Sequence, residues 1–250
     1  MSKSIHRIFI LAKRNIKEII RDPLSLIFML GLPLLMEVLF YFIFHNLTSQ
    51  FQMQYLAPGI VIFAQSFLTL FCGMLLSLDR NTSFLTRLYV SKAKSYEFIL
   101  GYVLAIIPIV YFQSILFFLV GGIIDSSIFG LGMFLSILIS IIPAIFFIAF
   151  GLLLGTICSE KSIGGVSSII IAGQSMLSGM WFPIENLSKT ILTLMEILPF
   201  RNATLLMQNL LNGIDNMFND FLKPLLIILG YTVVALVVAI LLFKKKMKDN

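Results

Sequence analysis

The sequence predicts an all-α membrane protein of six transmembrane helices, and three observations carry that prediction. Only 12% of the 250 residues are charged, against about 25% in an ordinary soluble domain. Six apolar runs, at 24–44, 56–78, 98–124, 129–157, 163–180 and 222–243, reach roughly the 20 residues needed to cross a bilayer. The runs are continuous rather than alternating with period two, which excludes a transmembrane barrel.

The first element is a basic amphipathic helix over residues 1–22. Ile5, Ile8, Phe9, Ala12, Ile16, Ile19 and Ile20 recur at helical spacing, with Lys13, Arg14, Lys17 and Arg21 opposite, a pattern that suits a helix lying in the membrane interface. This stretch is too charged for a signal peptide, so the first span is expected to stay in the mature protein. Pro23 suits the first turn of the next helix, where the six-span domain, residues 23–250, begins.

Spans two and three are joined by residues 79–98, where Phe84, Leu85, Leu88 and Tyr89 form an apolar patch among Arg80, Arg87, Lys92 and Lys94. The patch fits a cytoplasmic coupling helix that docks on a partner; an ordinary solvated loop is equally compatible with the composition. Asp125-Ser126-Ser127 makes a hairpin between spans three and four, and residues 159–165 a short turn between four and five.

Nearly all lysines and arginines fall on one side of this arrangement, which places both termini in the cytoplasm and residues 181–213 outside. That topology accounts for the net charge of +6, so the basic balance is no argument for nucleic-acid binding.

Residues 181–213 hold two short amphipathic pieces separated by Pro199, the second ending at Gly213. Neither can span a bilayer. They are expected to form a re-entrant cap at the outer end, between spans five and six.

The run Leu177-Ser178-Gly179-Met-Trp-Phe182-Pro183, followed by Pro199 a short helix later, resembles the pattern that precedes the last span in bacterial type-2 ABC transporter permeases. Residues 12–35 are similar to that family's basic interfacial helix, its Arg-Asp-Pro, and a first span interrupted by proline, here Pro33. Asp79, Arg80, Leu88, Val90 and Gly101 fit the family's inner loop, whereas Asn81, Ser83 and Lys92 depart from it.

The resemblance implies the membrane subunit of an ABC exporter in a bacterial plasma membrane. Two such subunits, copies or relatives, form the pathway, and separate ATPase subunits bind the inner loop and the N-terminal helix. No G-x-x-x-x-G-K-[ST] loop occurs in the chain, so ATP and magnesium are expected on the partner rather than here, and the chain is not expected to be an enzyme.

Glu37 lies inside span one, where an acid near the bilayer centre costs roughly 2.5–3.5 kcal/mol. Its candidate partners are Tyr41, one turn on, and the amides Gln65, Gln113 and Gln174. These five residues are the candidate substrate pathway, unless Glu37 is a protonated acid in a structural hydrogen bond. Phe84, Leu85, Arg87, Leu88 and Tyr89 are the candidate ATPase contacts, and Ser178, Gly179, Phe182, Pro183 and Pro199 the cap motif.

The expected function is alternating-access export of an amphipathic or lipid-like compound. A proton-coupled transporter using Glu37, or a non-transporting scaffold or sensor, are the alternatives. Cys72 and Cys158 are read as small buried hydrophobes, and Gly151-x-x-x-Gly155 as a close packing contact within the chain. No metal-ligand or hydrolase spacing is found.

Overall fold

The computed structural model describes residues 3–81, 94–182, 184 and 187–249, which are overwhelmingly helical, with no strand among the described residues. Helix α1 covers Lys3–Ile20. It turns into α2, Pro23–Phe44, at an N-cap where Asp22 accepts hydrogen bonds from the backbone and hydroxyl of Ser25, with Pro23 in the first turn. This is the physical content of the Arg-Asp-Pro sequence. A π-helical turn at Ile27–Gly31 widens α2 just before Pro33, and the helix then continues without a break.

Helix α3, Met53–Asn81, is followed by α4, Ser95–Ile124. Both reach into the predicted inner loop, because Asp79, Arg80 and Glu97 have helical partners that hydropathy does not register. The five residues expected to contact an ATPase, Phe84, Leu85, Arg87, Leu88 and Tyr89, lie outside the described residues. Asp125 caps the short connection to α5, Leu131–Ile157. The hydrogen-bond ladder of α5 loosens at Ser140, three residues before Pro143.

Helix α6 spans Glu160–Leu177. Helices α7, Lys189–Ile197, and α8, Pro199–Asn212, follow, separated by Leu198 alone. Pro199 therefore opens the second helix as well as closing the first. Gly213 ends α8 with φ of +114°, a conformation suited to glycine. The last helix, α9 (Lys223–Asp249), is entered through a second π turn at Met217–Leu222.

Five helices, α2, α3, α4, α5 and α9, are long and apolar enough to cross a membrane. Helix α6, expected as a further span, carries Glu160 and Lys161 in its first turn and several serines and glycines, and is not among the five. It nevertheless runs antiparallel beside α3. Ile163 packs at Gly73 near one end, and Met180, just past the helix, packs at Gly59 near the other.

Helix α3 is the centre of the bundle and packs against α2, α4, α5, α6 and α8. In its most apolar window 78% of residues are buried, against 17% in α2 and 22% in α9, which turn their apolar sides outward. The tightest seam joins α3 to α5. A Cβ on Gly151 would lie 2.6 Å from the Thr69 carbonyl oxygen, and one on Gly155 2.6 Å from that of Gly73, so the backbones touch. Thr69 Oγ1 donates to Phe147 O at 3.2 Å, and Gln65 Nε2 donates to Ser140 O at 3.0 Å, where α5 is loosened.

Helix α8 is inserted rather than laid on the surface. Its Asn202, Ala203, Thr204, Leu206, Met207 and Leu210 are buried, and Gln208 Nε2 donates to Tyr55 O at 3.0 Å. Helix α7 buries Met195 but leaves Ile191, Leu194 and Ile197 exposed.

Candidate functional site

At the end of the bundle that carries α1, two ion pairs fasten that helix to the residues flanking segment 82–93. Arg14 Nη1 donates to Asp79 Oδ2 at 2.8 Å and Nη2 donates to Oδ1, while the Tyr102 hydroxyl of α4 also donates to Asp79. Ninety residues along the chain, Arg7 donates from Nε and Nη2 to the two Glu97 oxygens, each at 2.8 Å, and Ser4 Oγ and the Lys94 backbone N–H donate as well.

Asp79 and Glu97 have almost no exposed side-chain surface, so each buried acid is balanced by the fork of an arginine from the same helix. Burial works against the Arg14 charge, but the hydrogen bonds and charge of Asp79, and then Glu18, outweigh it, and its pKa lies above the ordinary value. The Glu97 hydrogen bond does the same for Arg7 despite desolvation. Both guanidinium groups stay charged at physiological pH.

Between these anchors α1 fits against α4: a Cβ on Gly101 would meet the Leu11 Cβ at 2.8 Å. The apolar stripe is thus divided, with Leu11, Ala12 and Ile19 buried against protein while Ile5, Phe9 and Ile20 remain exposed. Next to Asp79, Arg80 turns the other way. Its Nη1 donates to the carbonyls of Gly155 (2.6 Å), Thr156 (2.5 Å) and Cys158 (3.2 Å), filling the unpaired acceptors at the α5 C-terminus.

Towards the middle of the bundle, α2, α3 and α6 enclose a lateral groove of about 420 Å³. One wall is Phe28, Phe63, Phe67 and Leu70; the other is Ser168, Ile171, Ala172 and Ser175 of α6. No charged residue lines it among the described residues. Such a wall pair accepts apolar or aromatic material, with hydroxyls for an occasional hydrogen bond. At the end of the groove away from α1, Trp181 joins an aromatic cluster with Phe40, Phe44, Phe51 and Phe63.

The family model for the ABC-2 type transporter matches residues 6–211, from α1 through almost all of α8. The chain belongs to the ABC-2 type transporter family. No curated protein matches it. An ABC-2 permease is a membrane transport component that is not itself catalytic, and the family typically works with ABC ATPase partners.

Within this permease the five polar candidates do not form one cluster. Glu37 is completely buried where α2 meets α4; a Cβ on Gly121 would lie 3.0 Å from Glu37 Oε1, and neither carboxylate oxygen has a hydrogen-bond partner among the described residues. Gln113 Nε2 donates to Met29 O at 2.8 Å, inside the π turn of α2, two helical turns nearer α1 on the same seam. Gln65 bonds across the α3–α5 seam, and Gln174 Nε2 reaches Thr204 Oγ1 of α8 at 3.4 Å. In all three glutamines the amide oxygen is buried without a partner among the described residues.

Tyr41 stacks on His45 at 4.7 Å and borders a smaller polar pocket of about 230 Å³ with Gln52, Gln54 and Asp125. Of the motif residues after α6, Ser178 is buried and accepts from the Met180 N–H at 3.3 Å, and Gly179 adopts φ of +73°. Phe182 is half-buried, Pro199 is buried at the start of α8, and Pro183 lies outside the described residues.

Sequence reasoning missed the roles of Arg7, Arg14, Asp79, Arg80 and Glu97. The signal was present as acids sitting at the ends of apolar runs opposite a helix with spare arginines, but the pairing is tertiary. It also missed Trp181, the chain's one tryptophan, which stands inside the recognised motif.

Proposed function

We propose that this permease is the membrane half of an ATP-driven exporter of an amphipathic or lipid-like compound, such as a drug, a peptide antibiotic or a lipid-linked molecule. Its termini are cytoplasmic, and α6 supplies a sixth crossing. Separate ATPase chains carrying ATP and magnesium dock on segment 82–93, and a second permease, a copy or a relative, completes the pathway.

The observation that supports this reading best is the double attachment of α1 to Asp79 and Glu97. A push on the segment between those residues is delivered at once to α1, to α3 and to α4, and through Arg80 to α5. The uncharged groove beside Phe28, Phe63 and Phe67 supports an apolar cargo moiety, and the basic residues near the α1 end support a cytoplasmic location by the positive-inside rule.

The test is gentle extraction from the native membrane followed by identification of what co-purifies. An ATPase chain in equal copy number supports the exporter, and ATP-driven efflux from vesicles containing both chains completes it. A permease that stays free of any ATPase under several mild conditions overturns it.

A second reading, a self-sufficient proton-coupled transporter, draws support from one observation, the unpartnered carboxyl of Glu37. That reading requires transport to collapse with the proton gradient and to proceed without ATP.

A further inference from the structure

Resting on the export reading, we propose that Trp181 is the movable seal at the outer end of the groove and the last side chain the cargo meets. The indole touches both groove walls. Its ring stands edge-on to Phe63 at 5.9 Å, and its N–H donates to Ser175 Oγ at 2.7 Å, while Phe63 and Ser175 themselves line the groove. Behind it, Phe40 packs edge-on at 5.0 Å and Phe51 is stacked at 6.4 Å. The ring is thus a plug between the groove and the aromatic cluster beyond.

What holds the ring itself is one hydrogen bond and its aromatic neighbours. Residues 179–182 lie outside any helix, and Trp181 is only half-buried. Two residues before it, Gly179 sits at φ of +73°, a left-handed conformation that favours glycine, and turns the chain so that the indole reaches the groove. Met180, buried and packed at Gly59, holds the backbone in place, so rotation about the χ1 and χ2 torsions of Trp181 itself carries the indole off Ser175 and opens the groove outward. The N–H bond to Ser175 and the edge-on ring contacts return it, so an apolar cargo moiety competes for the same aromatic surface that closes the path.

The sequence contains one tryptophan, so fluorotryptophan incorporated into this subunit alone gives one ¹⁹F resonance, reporting directly on residue 181. With the permease in nanodiscs, 1-decanol serves as the apolar probe. The expected result is a resolved shift of the resonance on decanol titration, a line already displaced in Ser175→Ala, and no decanol shift in Ala172→Phe, which fills the groove. In the complex with its ATPase, trapping with ATP and vanadate is expected to move most of the intensity to a second position.

A resonance indifferent to decanol overturns the proposal, as does one that trapping leaves in place while the same complex performs ATP-driven efflux. If the wild-type complex performs no ATP-driven efflux, the export reading fails separately, and the decanol titration still decides whether Trp181 closes the groove.

Discussion

Arg14 and Asp79, sixty-five residues apart, form a two-pronged ion pair, and Asp79 is the point where the amphipathic helix grips the central helix of the bundle. Asp79 also accepts from Tyr102, so three helices, α1, α3 and α4, meet at one carboxylate. Removing a single partner of a buried pair leaves the other charge uncompensated, which costs about 3–5 kcal/mol. We expect Arg14→Ala to loosen α1 from the bundle, seen as faster amide exchange over residues 8–20, and to reduce ATPase co-purification. Exchange and co-purification both at wild-type level would falsify the anchoring role; Arg14→Lys, which keeps the charge but loses the fork, is expected to fall between.

Arg80 supplies three hydrogen bonds to the carbonyls that end α5. Arg80→Gln removes the charge and shortens the reach, at a cost of about 1–2 kcal/mol for a charged helix-end contact. The expected outcome is a lower unfolding temperature in detergent, with faster exchange confined to the last turn of α5. Loss of exchange protection throughout the chain would show a different role.

The glycines separate into two classes. Gly151→Ala and Gly155→Ala drive a Cβ into the backbone of α3 and should each destabilise by about 1–3 kcal/mol. Gly164→Ala and Gly165→Ala meet no atom within 4 Å and sit inside α6, where alanine favours helix by up to about 1 kcal/mol. Thermal unfolding of the four variants in one detergent checks the contrast, and equal effects in both pairs would show that α3 and α5 are not in backbone contact.

Glu37 carries a cost without a visible return, since its two oxygens are buried with no partner among the described residues. Glu37→Met, of similar length and apolar, should raise stability by about 1–3 kcal/mol, the penalty of an unsatisfied buried group. If Glu37 serves transport, efflux falls in the same variant while assembly is retained. Transport at wild-type rate in both Glu37→Met and Glu37→Ala would remove Glu37 from the pathway.

The sequence made the helices legible because hydropathy and period are local properties. Residues 5–20 read as an amphipathic helix, and Gly213 read as a stop, since each depends on its own neighbours. The ends of α3 and α4 were hidden because Asp79, Arg80 and Glu97 look like loop residues until their partners at Arg14, Gly155 and Arg7 are known. The candidate site was legible only as a list of polar residues. Gln65, Gln113 and Gln174 each spend their donor on a different seam, which no spacing in the sequence announces, and the groove wall at Phe28, Phe63 and Phe67 is indistinguishable in sequence from other phenylalanines in a chain holding 24 of them.

The direct backbone contact of α3 and α5 through Gly151 and Gly155 has a mechanical meaning. Where helices meet through long side chains, rotamer changes let one slide on the other; here the Thr69 and Gly73 carbonyls rest where those side chains would be, and sliding requires the two main chains to part. The pair therefore bends and tilts as a single beam, fixed at one end by Arg80. On the export reading, a push beside segment 82–93 is carried along that beam as far as Ser140, where the α5 ladder loosens, and further compliance lies in α2, with its widened turn, and in α6 and the short segment that follows it.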